Sequence, residues 1–284
     1  MVDMRTALKR AKIINEMRDP SPERSHIGRT ISLRDVVKDR ERGLSAADRT
    51  WLHLQTQGVV DGDTSVIGPM DGVEGVWKDQ PAFLVGGSRA LKNAMDAGFK
   101  LSMLDGFHSI GVNHVVSDYH DFEWLFFMDK SFLSVSAYDV LKEYKGRVFA
   151  HLKTHLEPSQ RVTLFYTQHE EPKLHLIDGL YSFIVSGVTA VNLALITGAN
   201  PIYLMGLDNG GCKDNKTSTH YKDTYPGERV GYGNWSKFTR RVPEVMLRYS
   251  PWADRFVNVD PLGDITAFKK MDVREIPELK EKFA

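Results

Sequence analysis

Seven short runs of mainly apolar residues punctuate the chain from its second quarter onward: Ala82–Val85, His108–Val112, Glu123–Met128, Arg147–Ala150, Val162–Tyr166, Pro201–Met205 and Phe256–Val259. Each is too short for a helix, and none alternates cleanly between polar and apolar. That is the pattern of strands buried on both faces, as in a parallel sheet. Helical stretches lie between them: Ala90–Ala97, Ser136–Lys145, a helix within Ser182–Gly198, and Trp235–Arg248. The helix inside Ser182–Gly198 is apolar on nearly every face, so it is predicted to be buried. Gly198 ends it and Pro201 follows. Strands alternating with helices predict an α/β fold with a doubly wound, mostly parallel sheet.

The first eighty residues read differently. Met4, Leu8, Ala11, Ile14 and Met17 recur at helical spacing, and Asp19-Pro20 ends that helix. Ile31–Arg42 and Ala46–Gln57 are two further helices. Val59–Gln80, rich in Gly and Asp, is a loop or a pair of short strands. The division expected is a helical N-terminal extension, residues 1–80, and a nucleotide-binding domain, residues 81–284. Met271–Ala284 forms a charged terminal helix.

Composition narrows the function classes. Lys+Arg and Asp+Glu number 37 each, so no net field draws the chain to nucleic acid or a membrane. Residues 1–50 carry 12 basic against 8 acidic side chains, a local surplus of four. Cys212 is the single cysteine, so no disulfide forms within the chain. The N-terminus lacks a signal-peptide apolar region, and no run is long enough to span a membrane. A cytoplasmic location is the expectation. The sequence sets no oligomeric state; a homo-oligomer is compatible with it.

Candidate chemistry gathers at strand ends. Gly86-Gly87-Ser88 follows the first run and opens a helix, the local form of a phosphate-binding turn. The tripeptide is equally a plain strand-to-helix connection. Asn113 ends the second run, Asp129 the third, and Gly206-Leu207-Asp208 the sixth. Ser186-Gly187 opens the buried helix, as cap or as ligand contact. His169-Glu170-Glu171 has no metal-ligand spacing around it, so no metal site is assigned. Residues 209–234 are polar and hold His220, Tyr221, Lys222 and Tyr225, which suits a lid.

Three pieces in order, FLVGGSRAL with SIGVN, IVSGVTAVNLALITGANPIYLMGLD, and FVNVDPLGDITAF, resemble one family. It joins bacterial sialyltransferases of the Campylobacter type, archaeal 6-hydroxymethylpterin diphosphokinases and uncharacterised bacterial and phage proteins. Gly86–Leu91 stands where that family has Gly-x-Gly-Pro-Ser-Leu. Asn113, Ser186-Gly187 and Gly206-Leu207-Asp208 match its Asn, its Ser-Gly and its Gly-x-Asp. The resemblance covers roughly residues 82–268. It implies a Rossmann-like nucleotide-binding domain and a glycosyltransferase that moves a sugar from a nucleotide-sugar donor to a hydroxyl acceptor. The acceptor would be a glycan, or a hydroxymethylated base in phage DNA.

Gly86, Gly87, Ser88, Asn113, Asp129, Ser186, Gly187, Asp208 and Lys222 would then contact the nucleotide. His220 would take the acceptor proton as general base, with Tyr221 and Tyr225 stabilising the leaving nucleotide without a metal. Two alternatives stand beside this reading. One is a Mg²⁺-dependent diphosphokinase using carboxylates such as Asp129 and Asp208. The other is a non-catalytic nucleotide-binding protein.

Overall fold

The structure is a computed structural model. It describes residues 66–67, 71–128, 132, 141, 143–151, 154, 161–165, 167–168, 171–176, 180–181, 185–208, 241–260 and 262–283. In chain order the strands are β1 (Val66–Ile67), β2 (Ala82–Val85), β3 (His108–Val112), β4 (Trp124–Phe127), β5 (Arg147–His151), β6 (Val162–Phe165), β7 (Thr167–Gln168), β8 (Leu180–Tyr181), β9 (Ile202–Met205), β10 (Phe256–Asn258) and β11 (Lys269–Lys270). The helices are α1 (Arg89–Asp96), α2 (Ser186–Ile196), α3 (Val242–Met246) and α4 (Ile276–Phe283).

Nine of these strands form one sheet, in the order β1-β6-β5-β4-β3-β2-β9-β10-β11. All neighbours pair parallel except β1, which runs antiparallel along β6. This is the doubly wound, Rossmann-like α/β arrangement that the apolar runs predict. The chain steps outward from β2 to β6, returns to lay β9 against the other side of β2, and then steps outward again. The order therefore reverses between β2 and β9. In an open α/β sheet this is where a crevice forms beyond the carboxyl ends of the strands.

The lack of polar alternation has a direct cause. Ala82 and Leu84 of β2, Trp124 and Phe126 of β4, and Ile202 and Leu204 of β9 face α2 in one core. Phe83, Val85, Leu125, Phe127, Tyr203 and Met205 point the other way, into a second core that includes Leu91 and Ala94 of α1. Side chains alternate along a strand, so a strand covered on both faces must be apolar throughout. Every residue of α2 is buried, including Ser186, Thr189 and Asn192. Asn192 meets its needs by accepting from the Tyr181 and Lys173 amides, at 2.7 and 3.2 Å, and by donating to the Lys173 carbonyl.

The C-terminal carbonyls of α2 are capped from an unexpected quarter. Residues 71–80 lend the amides of Gly75, Trp77 and Asp79 to the carbonyls of Ile196, Thr197 and Gly198, at 3.0, 2.9 and 3.1 Å. Val73 and Trp77 are buried in the α2-side core. The stretch just before Pro81 is thus packed into the sheet domain. Other differences are local. Trp235–Arg248 was expected to be one helix; in the part described, α3 passes at Leu247 into a 3₁₀ stretch that runs to Arg255 and contains Pro251. The terminal helix begins at Ile276, behind a capping box on Asp272 and Glu275, and Lys269–Lys270 before it is an edge strand. Thr167–Gln168 pairs with β8 in a separate two-stranded sheet. Among the described residues no helix is long and apolar enough to cross a membrane.

The switch point depends on two glycines. Gly206 leaves β9 at φ +67°, and a Cβ there would overlap the carbonyl of Gly86. A Cβ on Gly86 would in turn lie 2.5 Å from the Gly206 carbonyl oxygen. Gly72 has the same φ, with nothing within 4 Å of an added Cβ. Gly72→Ala is expected to cost about 1–2 kcal/mol through its left-handed backbone alone. Gly206→Ala should cost about 1–3 kcal/mol more, because backbone must move. Urea unfolding of the two variants measures the difference; equal losses would show that the contact is not a constraint.

Candidate functional site

The crevice is built from the exits of β2 and β9. The Gly86 amide donates to the Met205 carbonyl at 2.8 Å, and the Ser88 amide to the Gly206 carbonyl at 2.9 Å. The Ser88 hydroxyl donates to the Asp208 carbonyl in a short bond, and the Ala90 amide lies 3.4 Å from the same oxygen. Ser88 is also the N-cap of α1, accepting from Ala90 at 3.3 Å. The Gly-Gly-Ser turn therefore does work that its sequence does not disclose. The amides of Ser88 and Ala90, and the Ser88 hydroxyl, tie β2 to the exit of β9. Ser88 has a structural occupation that a phosphate would have to share.

The helix end that opens toward the crevice belongs to α2. Helix α2 runs antiparallel to the strand that follows it, so its N-terminus lies at the carboxyl edge of the sheet. An added Cβ on Gly187 would meet Leu207 at 2.9 Å, and one on Gly86 would meet the same leucine at 2.8 Å. Leu207 thus joins the start of α2 to the β2 turn. Val185, not Ser186, holds the N-cap position, and its side chain makes no capping bond. The first amides of a helix have no intrahelical acceptors and carry partial positive charge. An anion at the switch point would meet them.

Asn113 leaves β3 in the left-handed region, at φ +55°. Its Oδ1 is buried without a hydrogen-bond partner. The β2–β3 register pairs Val85 with Gly111, so Asn113 stands level with Gly87 on the next strand. Asn is among the few residues that tolerate this backbone, and a buried acceptor without a donor is a candidate ligand contact.

Asp208 is 1% exposed, and its Oδ2 accepts the Ile265 amide at 3.0 Å. One carboxylate oxygen is therefore turned toward the loop after β10. That loop brings a residue not singled out from the sequence. Asp260, 4% exposed at the exit of β10, accepts the Leu262 amide through Oδ1 at 2.9 Å. Its Oδ2 is buried and has no hydrogen-bond partner. Burial first, and then the Asp208 carboxylate, push the Asp260 pKa up to about 6, against the pull of the Leu262 amide and Lys270. The sequence signal was there, an acid at a strand exit, but the aspartate reads equally well as the start of a turn.

Gly86, Gly87, Ser88, Ser186, Gly187 and Asp208 gather around the β2–β9 switch point, with Asn113 one strand away. Asp129, His220, Tyr221, Lys222 and Tyr225 lie outside the described residues. A separate cavity, lined by Asp79, Gln80, Phe107, His108 and Lys280 among others, sits at the opposite edge, where β2 and β3 begin.

No family model and no curated protein sequence matches the chain. Among solved structures it is similar to the MAf glycosyltransferase from Magnetospirillum magneticum AMB-1, at 15% sequence identity and a TM-score of 0.43. The match covers 78% of this chain and 38% of that one. The chain thus spans well under half the length of that protein.

The Asp260 pKa fixes the sign of a pH effect. It is raised from 3.8 to about 6 in the fold. Its contribution to stability is fully present below about pH 4 and is lost as pH rises through 6. Melting scans in chelator-containing buffer should show Tm falling between about pH 4 and 6 from this group and levelling off above, and Asp260→Asn should flatten that fall. A variant with the wild-type slope would remove Asp260 as the source.

Proposed function

We propose that the chain is a nucleotide-sugar-dependent glycosyltransferase whose donor nucleotide lies across the β2–β9 switch point. The observation that carries the nucleotide part is the uncapped N-terminus of α2, set against Leu207 at the sheet's carboxyl edge. A phosphate there would receive the first amides of an eleven-residue helix, aligned with its dipole. Asn113 Oδ1, buried and without a partner, would accept from a hydroxyl or amine of the nucleoside. The glycosyl part of the reading rests on the resemblance of the block from Ile184 to Asp208 to the sialyltransferase-like family.

In this reading the acceptor hydroxyl attacks the anomeric carbon as its proton passes to a base, for which His220 is the candidate. The bond from the anomeric carbon to the phosphate oxygen breaks, and its electron pair leaves with the nucleotide. Tyr221, Lys222 and Tyr225 are the candidates to stabilise the departing charge. A glycan or a hydroxymethylated DNA base would serve as acceptor. The diphosphokinase alternative would use the same crevice but a nucleoside triphosphate.

A thermal-shift screen with CMP, UDP, GDP, ATP and the corresponding nucleotide sugars tests the assignment. At least one nucleotide sugar should raise Tm saturably. Asn113→Gly keeps the backbone but removes the amide, and should weaken that ligand about tenfold, the worth of one hydrogen bond at the upper neutral range. Unchanged affinity would remove Asn113 from the site. His220→Ala should lower kcat by about 10²–10⁴-fold with the fold intact. Stabilisation by ATP alone would favour the diphosphokinase, and no response to any nucleotide would end both readings.

A further inference from the structure

The hollow at the amino edge of the sheet, where β2 and β3 begin, measures about 460 Å³, the size of a small-molecule site. Its floor is fixed. The two ring nitrogens of His108 are bonded to Gln80 Oε1 and Glu123 Oε2, each at 2.6 Å. Trp77 stacks on the His108 ring, with centroids 4.9 Å apart, and donates to Glu123 Oε1 at 3.2 Å. Phe107 is held edge-on against Phe83, at 5.0 Å between centroids. Helix α4 adds Phe283, an apolar side chain that is 40% exposed.

Three charged side chains line the same hollow: Asp79, Asp105 and Lys280. Asp79 sits at φ +58°, with its amide donated to the Gly198 carbonyl at 3.1 Å. Its carboxylate lies in the field of Arg255, whose guanidinium bonds go to the Leu195 and Ala199 carbonyls. Asp105 accepts the Tyr119 hydroxyl through one oxygen. Among the described residues neither acid forms an ion pair, with Lys280 or with any other base.

Opposite charges that share a hollow meet and cancel where the backbone lets them. Here they rise from three separate stretches, the entries to β2 and β3 and the last turns of α4, and they stay apart. A small molecule that brings an ammonium to the acids and an anion to Lys280 completes both contacts at once. Hydrogen bonds between charged partners are the strong ones, and a fixed floor spares the ligand much of the ordering cost. The rings of Phe107 and Phe283 offer apolar area to the ligand's body. A plain amine would leave Lys280 unmet, and a plain acid would face two carboxylates.

We propose that this hollow binds a small zwitterion: an amine and an acid group carried on one aromatic body, as in an aromatic α-amino acid. The ammonium lies at Asp79 and Asp105, the carboxylate at Lys280, and the ring between Phe107 and Phe283. The site is at the sheet edge opposite the β2–β9 crevice and does not rest on the nucleotide reading.

Ligand-observed NMR titration of the full-length protein with L-phenylalanine tests the assignment. Phenethylamine and N-acetyl-L-phenylalanine are the comparison probes, each lacking one charged end. L-Phenylalanine should bind saturably in the millimolar range or tighter, and each truncated probe about tenfold more weakly. Lys280→Gln should weaken L-phenylalanine about tenfold and leave phenethylamine unchanged, because that probe has no anion to lose. Asp105→Asn keeps an acceptor for Tyr119, and Asp79→Asn keeps a residue that tolerates the left-handed backbone. Combined, these two should weaken L-phenylalanine and phenethylamine alike and leave N-acetyl-L-phenylalanine no weaker. A folding loss would not produce that selectivity, since a collapsed site loses every probe together. Asp96→Asn, whose carboxylate pairs with Lys92 on the surface of α1, should bind as wild type does. No saturable binding of L-phenylalanine at about 10 mM, equal binding of the three probes, or wild-type affinity in Lys280→Gln overturns the proposal.

Discussion

The carbonyl of Gly86 and the α-carbon of Gly206 touch where two strands leave the sheet side by side, and the rest of the crevice follows from that contact. Neither position has room for a side chain. Because the two backbones lie so close, Ser88 can reach across with both its amide and its hydroxyl. Because Ser88 is anchored there, α1 starts where it does. Because Gly206 turns at φ +67°, Leu207 is delivered between the β2 turn and the first turn of α2. One close approach of main chain thus sets the positions of two helix starts and two strand exits.

Helix α2 is the other fixed body. A helix buried on every side cannot satisfy its terminal groups with water, so both ends must be met by something else. At its C-terminus three carbonyls are met by the amides of residues 75–79. At its N-terminus the cap residue is Val185, whose side chain makes no capping bond. The asymmetry is informative. The end far from the crevice is closed by main-chain amides of a distant segment, and the end beside the crevice starts at a valine that cannot cap it.

How much of this was legible follows from how locally each feature is encoded. Strands buried on both faces announce themselves as apolar runs, so β2, β3, β4 and β9 were readable, and so was α2 between two of them. The glycines at 86 and 206 were readable as turn residues. Edge strands such as β1, β7, β8 and β11 have two residues each, too few for any period to register. The packing of Val73 and Trp77 was hidden because a Gly- and Asp-rich stretch reads as loop; its amides serve a helix more than a hundred residues later. The direction of Asp208 was hidden for a similar reason. Its partner, Ile265, lies 57 residues on, and only the β9–β10 pairing brings the two together.

The electrostatic layout gives the crevice a polarity that neither strand exit has alone. On the α2 side the available groups are amide donors at a helix start, which favour negative charge. On the β10 side stand the buried carboxylates of Asp208 and Asp260, which favour positive charge or donated hydrogens and accept the Ile265 and Leu262 amides. About one strand spacing, roughly 4.8 Å, separates neighbouring exits. A simple anion would satisfy the first side and be repelled by the second. A ligand that is anionic along one face and carries a cation or hydroxyls along the other would satisfy both. The acid pair therefore constrains the charge of anything lying in the crevice more than the glycine turn does.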